Sequence, residues 1–117
     1  DETQKIFQWH GDAFSIPKGA INLASSVGCP HQAFRYGNKV YGFQFHLEVN
    51  QDLIDRWLDH EVNKSELERH EKNMDIPLIR KETEEHLASL QMLSDKTFAL
   101  FLKIVGINEK EIKLKSR

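Results

Sequence analysis

Two short alternating runs, Gln32-Ala33-Phe34-Arg35-Tyr36 and Lys39 to Phe45, flank Gly37-Asn38, and no other feature restricts this chain's folding so tightly. Gly-Asn between two extended segments predicts a β-hairpin with a two-residue loop. Counting outward from that loop pairs Tyr36 with Lys39 and Phe34 with Tyr41, an aromatic cross-strand pair that would hold the register. The second run continues as Val40-Tyr41-Gly42-Phe43-Gln44-Phe45-His46-Leu47-Glu48. Strand alternation sends Tyr41, Phe43, Phe45 and Leu47 to one face and Gln44, His46 and Glu48 to the other. A carboxylate beside a histidine on one face can accept the Nδ1 proton, fix the tautomer and stabilise the imidazolium. That pair is the base and orienter of a nucleophilic triad. Taken alone, an H-x-E on a strand is more often a polar edge than a site.

The remaining elements arrange themselves around this hairpin. Lys5 to His10 predicts a strand that breaks at Gly11-Asp12, Pro17-Lys18-Gly19 a turn, and Ala20 to Ala24 a further strand. Asn50 predicts the N-cap of a helix from Gln51, with Asp52 favourable in its first turn. Leu53, Ile54, Trp57, Leu58 and Val62 form its apolar stripe. Asn63 to Asp75 is charged enough to be a solvated helix or a linker. Pro77 opens a long amphipathic helix marked by Ile79, Thr83, Leu87, Leu90, Leu93, Phe98, Phe101, Leu102 and Val105, with a break placed near Ser94-Asp95. Gly106 suits its C-terminal cap, and Asn108 to Arg117 reads as a frayed, charged tail. Strands therefore precede helices, the order of an α+β fold or of the back half of an α/β domain.

At 117 residues the chain is one domain's worth, and its 29% of charged residues gather mainly in the second half. A net charge of −2 gives no argument for nucleic acid or an anionic membrane as a partner, and neither is expected. No apolar run approaches about 18 residues and no charged, apolar leader is present, so neither a membrane span nor export is expected. The single cysteine, Cys29, has no disulfide partner in the chain, which fits a reducing cytoplasm. The chain starts at Asp1-Glu2-Thr3-Gln4 without a methionine, so the expectation is a piece of something longer or a processed form.

Gly42-Phe43-Gln44-Phe45-His46-Leu47-Glu48 resembles the His-x-Glu signature of class I (triad-type) glutamine amidotransferases, G-x-Q-F-H-P-E. Trp9-His10-Gly11-Asp12, Ala24-Ser25-Ser26 and Cys29-Pro30-His31-Gln32-Ala33-Phe34-Arg35-Tyr36-Gly37 resemble the segments that precede it, and the likeness is greatest to stand-alone, GMP-synthase-like members. It runs over Lys5 to Val49. The resemblance implies a flavodoxin-like α/β domain, of which this is the C-terminal part, with an antiparallel hairpin before the His-Glu strand and a helical C-terminal extension. It divides the chain into residues 1–50, the strand-rich part with the His-x-Glu motif, residues 51–106, the helices of the same domain, and residues 107–117, a charged tail. It further implies that His46 is the catalytic acid/base, that Glu48 orients it, and that Trp9, His10, Gly11 and Asp12 line a glutamine pocket, largely through backbone groups. In the family a cysteine on a G-x-C-x-G turn attacks the glutamine amide. Ammonia leaves, a thioester forms, and water releases glutamate.

Two departures bear on that reading. Leu47 replaces the usual proline but points away from His46 and Glu48. More seriously, no G-x-C-x-G turn occurs in this sequence. Cys29 is a poor substitute, because Pro30 after it has no N–H for an oxyanion, and a small buried or loop thiol is the default. The segment alone is therefore expected to be inactive. The expected partners are glutamine as substrate, the missing N-terminal half of the domain or a second copy, and an ammonia-accepting synthase domain. No cofactor and no metal are expected: His10-x-Asp12 and His46-x-Glu48 could in principle meet on zinc or iron, but no H-E-x-x-H occurs. Two alternatives remain, a non-catalytic assembly module and a glutamyl hydrolase with the same triad.

Overall fold

The hairpin forms, one residue out of the expected register. In a computed structural model, which describes residues 3–70 and 75–107, strands β1 (Ile21–Ala24), β2 (Ala33–Tyr36) and β3 (Val40–Phe43) make an antiparallel sheet in the order β1-β2-β3. Tyr36 pairs with Val40 and Phe34 with Gly42, so Lys39 joins Gly37 and Asn38 in a three-residue loop. Only Gly37 takes a positive φ, 57°, whereas a two-residue type I′ turn needs one at Asn38 as well. The register also has a packing reason. The Phe34 ring lies against the bare Cα of Gly42, and a Cβ there would collide with the ring. The aromatic pair expected between Phe34 and Tyr41 is not made; Tyr41 instead meets Phe101 edge-on at 5.8 Å.

Beyond Phe43 the extended run becomes irregular and pairs once more, where His46 bridges Phe7. The segment from Lys5 to His10 is accordingly not a regular strand: its one bridge is this contact, in which the His46 N–H donates to the Phe7 carbonyl at 3.0 Å. A strand needs a neighbour along its length, and these six residues find one at a single position. Among the described residues every strand pairing is antiparallel.

The helices obey their caps. Helix α1 (Gln51–Asp59) begins where Asn50 Oδ1 accepts from the Leu53 N–H at 2.9 Å. It ends at His60, whose extended backbone separates it from α2 (Glu61–His70). That break leaves Val62 outside the apolar stripe of α1, 63% exposed. Helix α3 (Ile76–Val105) starts at the Asp75 cap with Pro77 in its first turn, and runs 30 residues without the break expected at Ser94-Asp95. Gly106 ends it in the left-handed region at φ 82°. The expected frayed tail lies outside the described residues.

The core sits between the segment after β3 and two helices. Leu47 and Val49 pack against Ile54 and Leu58 of α1 and Leu90 of α3, with Ile6, Phe7, Trp9, Phe45 and Trp57 around them. Arg80 of α3 ties the helices by bonding both Asp55 and Asp59 of α1, the latter at 2.9 Å. Burial of Leu47 leaves its neighbours His46 and Glu48 on the solvent side of the segment.

Candidate functional site

His46 and Glu48 come together as alternation predicts. Nδ1 of His46 lies 2.7 Å from Glu48 Oε1, with the two side chains 26% and 58% exposed. A carboxylate can only accept, so Nδ1 carries the proton. Burial pushes the Glu48 carboxyl upward, but the hydrogen bond from His46, backbone N–H donors at Glu48 and Leu47 and the charge of His46 together outweigh it. The carboxyl is held below its ordinary value. Nε2, the other edge of the ring, faces the Trp9 carbonyl at 3.3 Å. Both nitrogens therefore face acceptors, Glu48 at one edge of the ring and the Trp9 carbonyl at the other.

Aromatic rings complete the surroundings. Trp57 of α1 stands T-shaped to the imidazole, with ring centres 5.0 Å apart, and Phe7 lies at 6.2 Å. Phe7 and Trp9 in turn pack on Trp57 at 6.0 and 6.1 Å. Sequence reading placed Trp57 in the apolar stripe of α1 and did not see it as part of the site. Its helical position says which face it takes, but nothing in the spacing says what crosses that face.

Of the Trp9 to Asp12 segment, Trp9 is drawn into this cluster by both its ring and its carbonyl. His10, Gly11 and Asp12 stay exposed, and His10 Nδ1 donates to the Asp12 carbonyl at 2.8 Å. A cavity of about 250 Å³ opens behind Phe7 and Trp9, lined further by Ile54, Ile79, Leu87 and Leu90, and bordered by neither His46 nor Glu48. Cys29 is buried, 7% exposed, and belongs to a different polar group. Its Sγ donates to the His31 carbonyl at 3.5 Å and accepts from Gln44 Nε2 at 3.2 Å. Gln44 also donates to the His31 carbonyl and accepts from the Phe14 N–H, fastening the loop before β2 to the His46 segment. Among the described residues, no three His, Cys, Asp or Glu side chains gather as a metal site requires. No described helix is long and apolar enough to cross a membrane.

No protein-family model matches the chain. Over 55 residues it is 42% identical to the glutamine amidotransferase-like protein YfeJ of Salmonella typhimurium, a stretch covering 47% of this chain and 23% of that protein. Over 65 residues it is 38% identical to the glutamine-hydrolysing GMP synthase of Corynebacterium diphtheriae, covering 50% of this chain and 12% of that one. The crystal structure of a glutamine amidotransferase from Thermotoga maritima matches 86% of this chain and 40% of its own, with a TM-score of 0.67 at 36% identity. Fold and site together define part of a mixed α/β domain in which an antiparallel sheet leads into a His-carboxylate pair. In sequence and in fold the chain is similar to part of the glutamine amidotransferases. It spans less than half the length of each of these proteins.

Proposed function

We propose that the chain carries the His-Glu half of a class I glutamine amidotransferase active site, and that the cysteine nucleophile comes from a stretch outside these residues. His46 takes the thiol proton and returns it to the departing ammonia. Glu48 keeps Nδ1 protonated, so that Nε2 is the working nitrogen, and stabilises the imidazolium as it forms. Trp9, His10, Gly11 and Asp12 flank the glutamine side chain, chiefly through main-chain groups. The thioester is then hydrolysed to glutamate, and ammonia passes to an acceptor on a synthase domain. The lone thiol Cys29 fits a reducing, cytoplasmic setting.

The observation that carries the reading is the 2.7 Å contact between His46 Nδ1 and Glu48 Oε1 on the solvent side of a segment whose Leu47 is buried. Alone, the chain should turn over no glutamine, because Nε2 rests against the Trp9 carbonyl and no thiol stands beside it. The test is a glutaminase assay on this chain and on the chain joined to the upstream half of its domain. Activity in the joined protein that His46→Ala abolishes supports the reading. Turnover by the chain alone, dependent on Cys29, would overturn it.

A second reading, an assembly module, is favoured by apolar side chains left in the open. Ile21 and Leu23 of β1 and Val40 and Phe43 of β3 are 41–54% exposed. Either the remainder of the domain or a second copy would cover them. Light scattering that finds a monomer at high concentration, and no association with the upstream half, counts against it.

A further inference from the structure

We propose that Trp57 is a positioning residue for His46, setting the plane of the imidazole and stabilising its protonated form; the inference rests on His46 being the acid/base. Three groups fix the ring. Glu48 holds one edge, the Trp9 carbonyl meets the other, and the indole of Trp57 stands across it at 71° with ring centres 5.0 Å apart. A histidine that accepts a thiol proton becomes a cation, and an adjoining aromatic ring favours the cation over the neutral form. Trp57 is itself held in place. Its neighbour Leu58 is fully buried, Ile54 one turn earlier is 1% exposed, and its carbonyl accepts from Asn63 Nδ2 at 2.9 Å. The Asn50 cap that starts α1 lies two residues after Glu48, so one short stretch sets both the carboxylate and the helix that delivers the indole.

Other charged groups nearby are engaged elsewhere. On the Trp9 side, His10 is bonded to the Asp12 carbonyl, with both residues exposed. On α1, Asp55 is held by Arg80, while Arg56 donates to the Asp52 carbonyl. Behind Phe7 and Trp9, Lys5 pairs with Glu82, and His86 lines the cavity. Among these groups Glu48 alone hydrogen-bonds the imidazole.

The test is an NMR titration of the His46 ring in the 117-residue chain, comparing wild type with Trp57→Phe and Trp57→Leu, each checked for folding by thermal unfolding. Trp57→Leu should lower the midpoint by about half a unit and Trp57→Phe should restore most of it, because the effect follows an aromatic ring and not mere bulk. An unchanged midpoint in a folded Trp57→Leu chain overturns the proposal, as does an equal shift in both variants. Should Trp57→Leu fail to fold, the native Trp57 can report instead. In a Trp9→Phe chain its fluorescence should step with pH as His46 titrates, and the step should vanish on adding His46→Gln. Absence of the step, or its survival in His46→Gln, overturns the proposal. These readouts need no turnover. Failure of the catalytic reading would appear separately, as glutaminase activity that survives His46→Ala in the joined protein.

Discussion

Replacing Glu48 with Gln separates what the His46–Glu48 contact does for the fold from what it does for the ring. The bond is short, 2.7 Å, but the carboxylate side chain is 58% exposed. Ion pairs so open to solvent contribute about 0–1 kcal/mol. Urea unfolding of the isolated chain at neutral pH should therefore fall by less than about 1 kcal/mol. The pH dependence has a definite sign. A carboxyl held below its ordinary value of 4.5 when folded adds stability above that value, and loses it as pH falls through the lower, folded one. The gap between wild type and Glu48→Gln should thus be widest near neutrality and close in acid. Activity should respond on another scale. A neutral amide no longer compels Nδ1 to donate and cannot stabilise the imidazolium, and the corresponding change in a serine-protease triad lowers kcat by on the order of 10⁴. The assay is kcat for glutamine hydrolysis by the chain joined to its upstream half, measured beside the urea curves. A kcat loss smaller than about tenfold would refute the orienting role. A stability loss above about 2 kcal/mol would refute the view that the pair is too exposed to matter for folding.

Leu58→Ala removes a side chain with no exposed surface from the centre of the core, and should cost about 2–5 kcal/mol in urea unfolding. Gly42→Ala drives a Cβ against the Phe34 ring, and should cost about 1–3 kcal/mol, with loss of hydrogen-exchange protection in β2 and β3 before the helices. Arg80→Ala frees two carboxylates of α1 at once and should cost about 1 kcal/mol, less in high salt; Arg80→Lys should recover only part, since one ammonium does not span both Asp55 and Asp59.

Local chemistry is where the amino-acid order sufficed. Asn50, Pro77 and Gly106 mark helix ends by backbone rules that act within a turn, and each stands at the end it announces. The His46–Glu48 contact was equally legible, because two residues two positions apart in extended chain share a side whatever else happens. The hairpin was visible, but its register was decided by the fit of the Phe34 ring over Gly42, which lies across the sheet from it and not beside it in the chain. Lys5 to His10 has the alternation of a strand, yet finds a partner only at Phe7, because pairing depends on what lies alongside. Trp57 near His46 could not be read in advance: eleven positions separate them, and only the packing of Ile54 and Leu58 against Leu47 and Val49 turns that helix so the indole meets the imidazole. Short-range hydrogen bonding and periodicity were encoded residue by residue, whereas contacts between distant segments awaited the one arrangement that buries their apolar faces together.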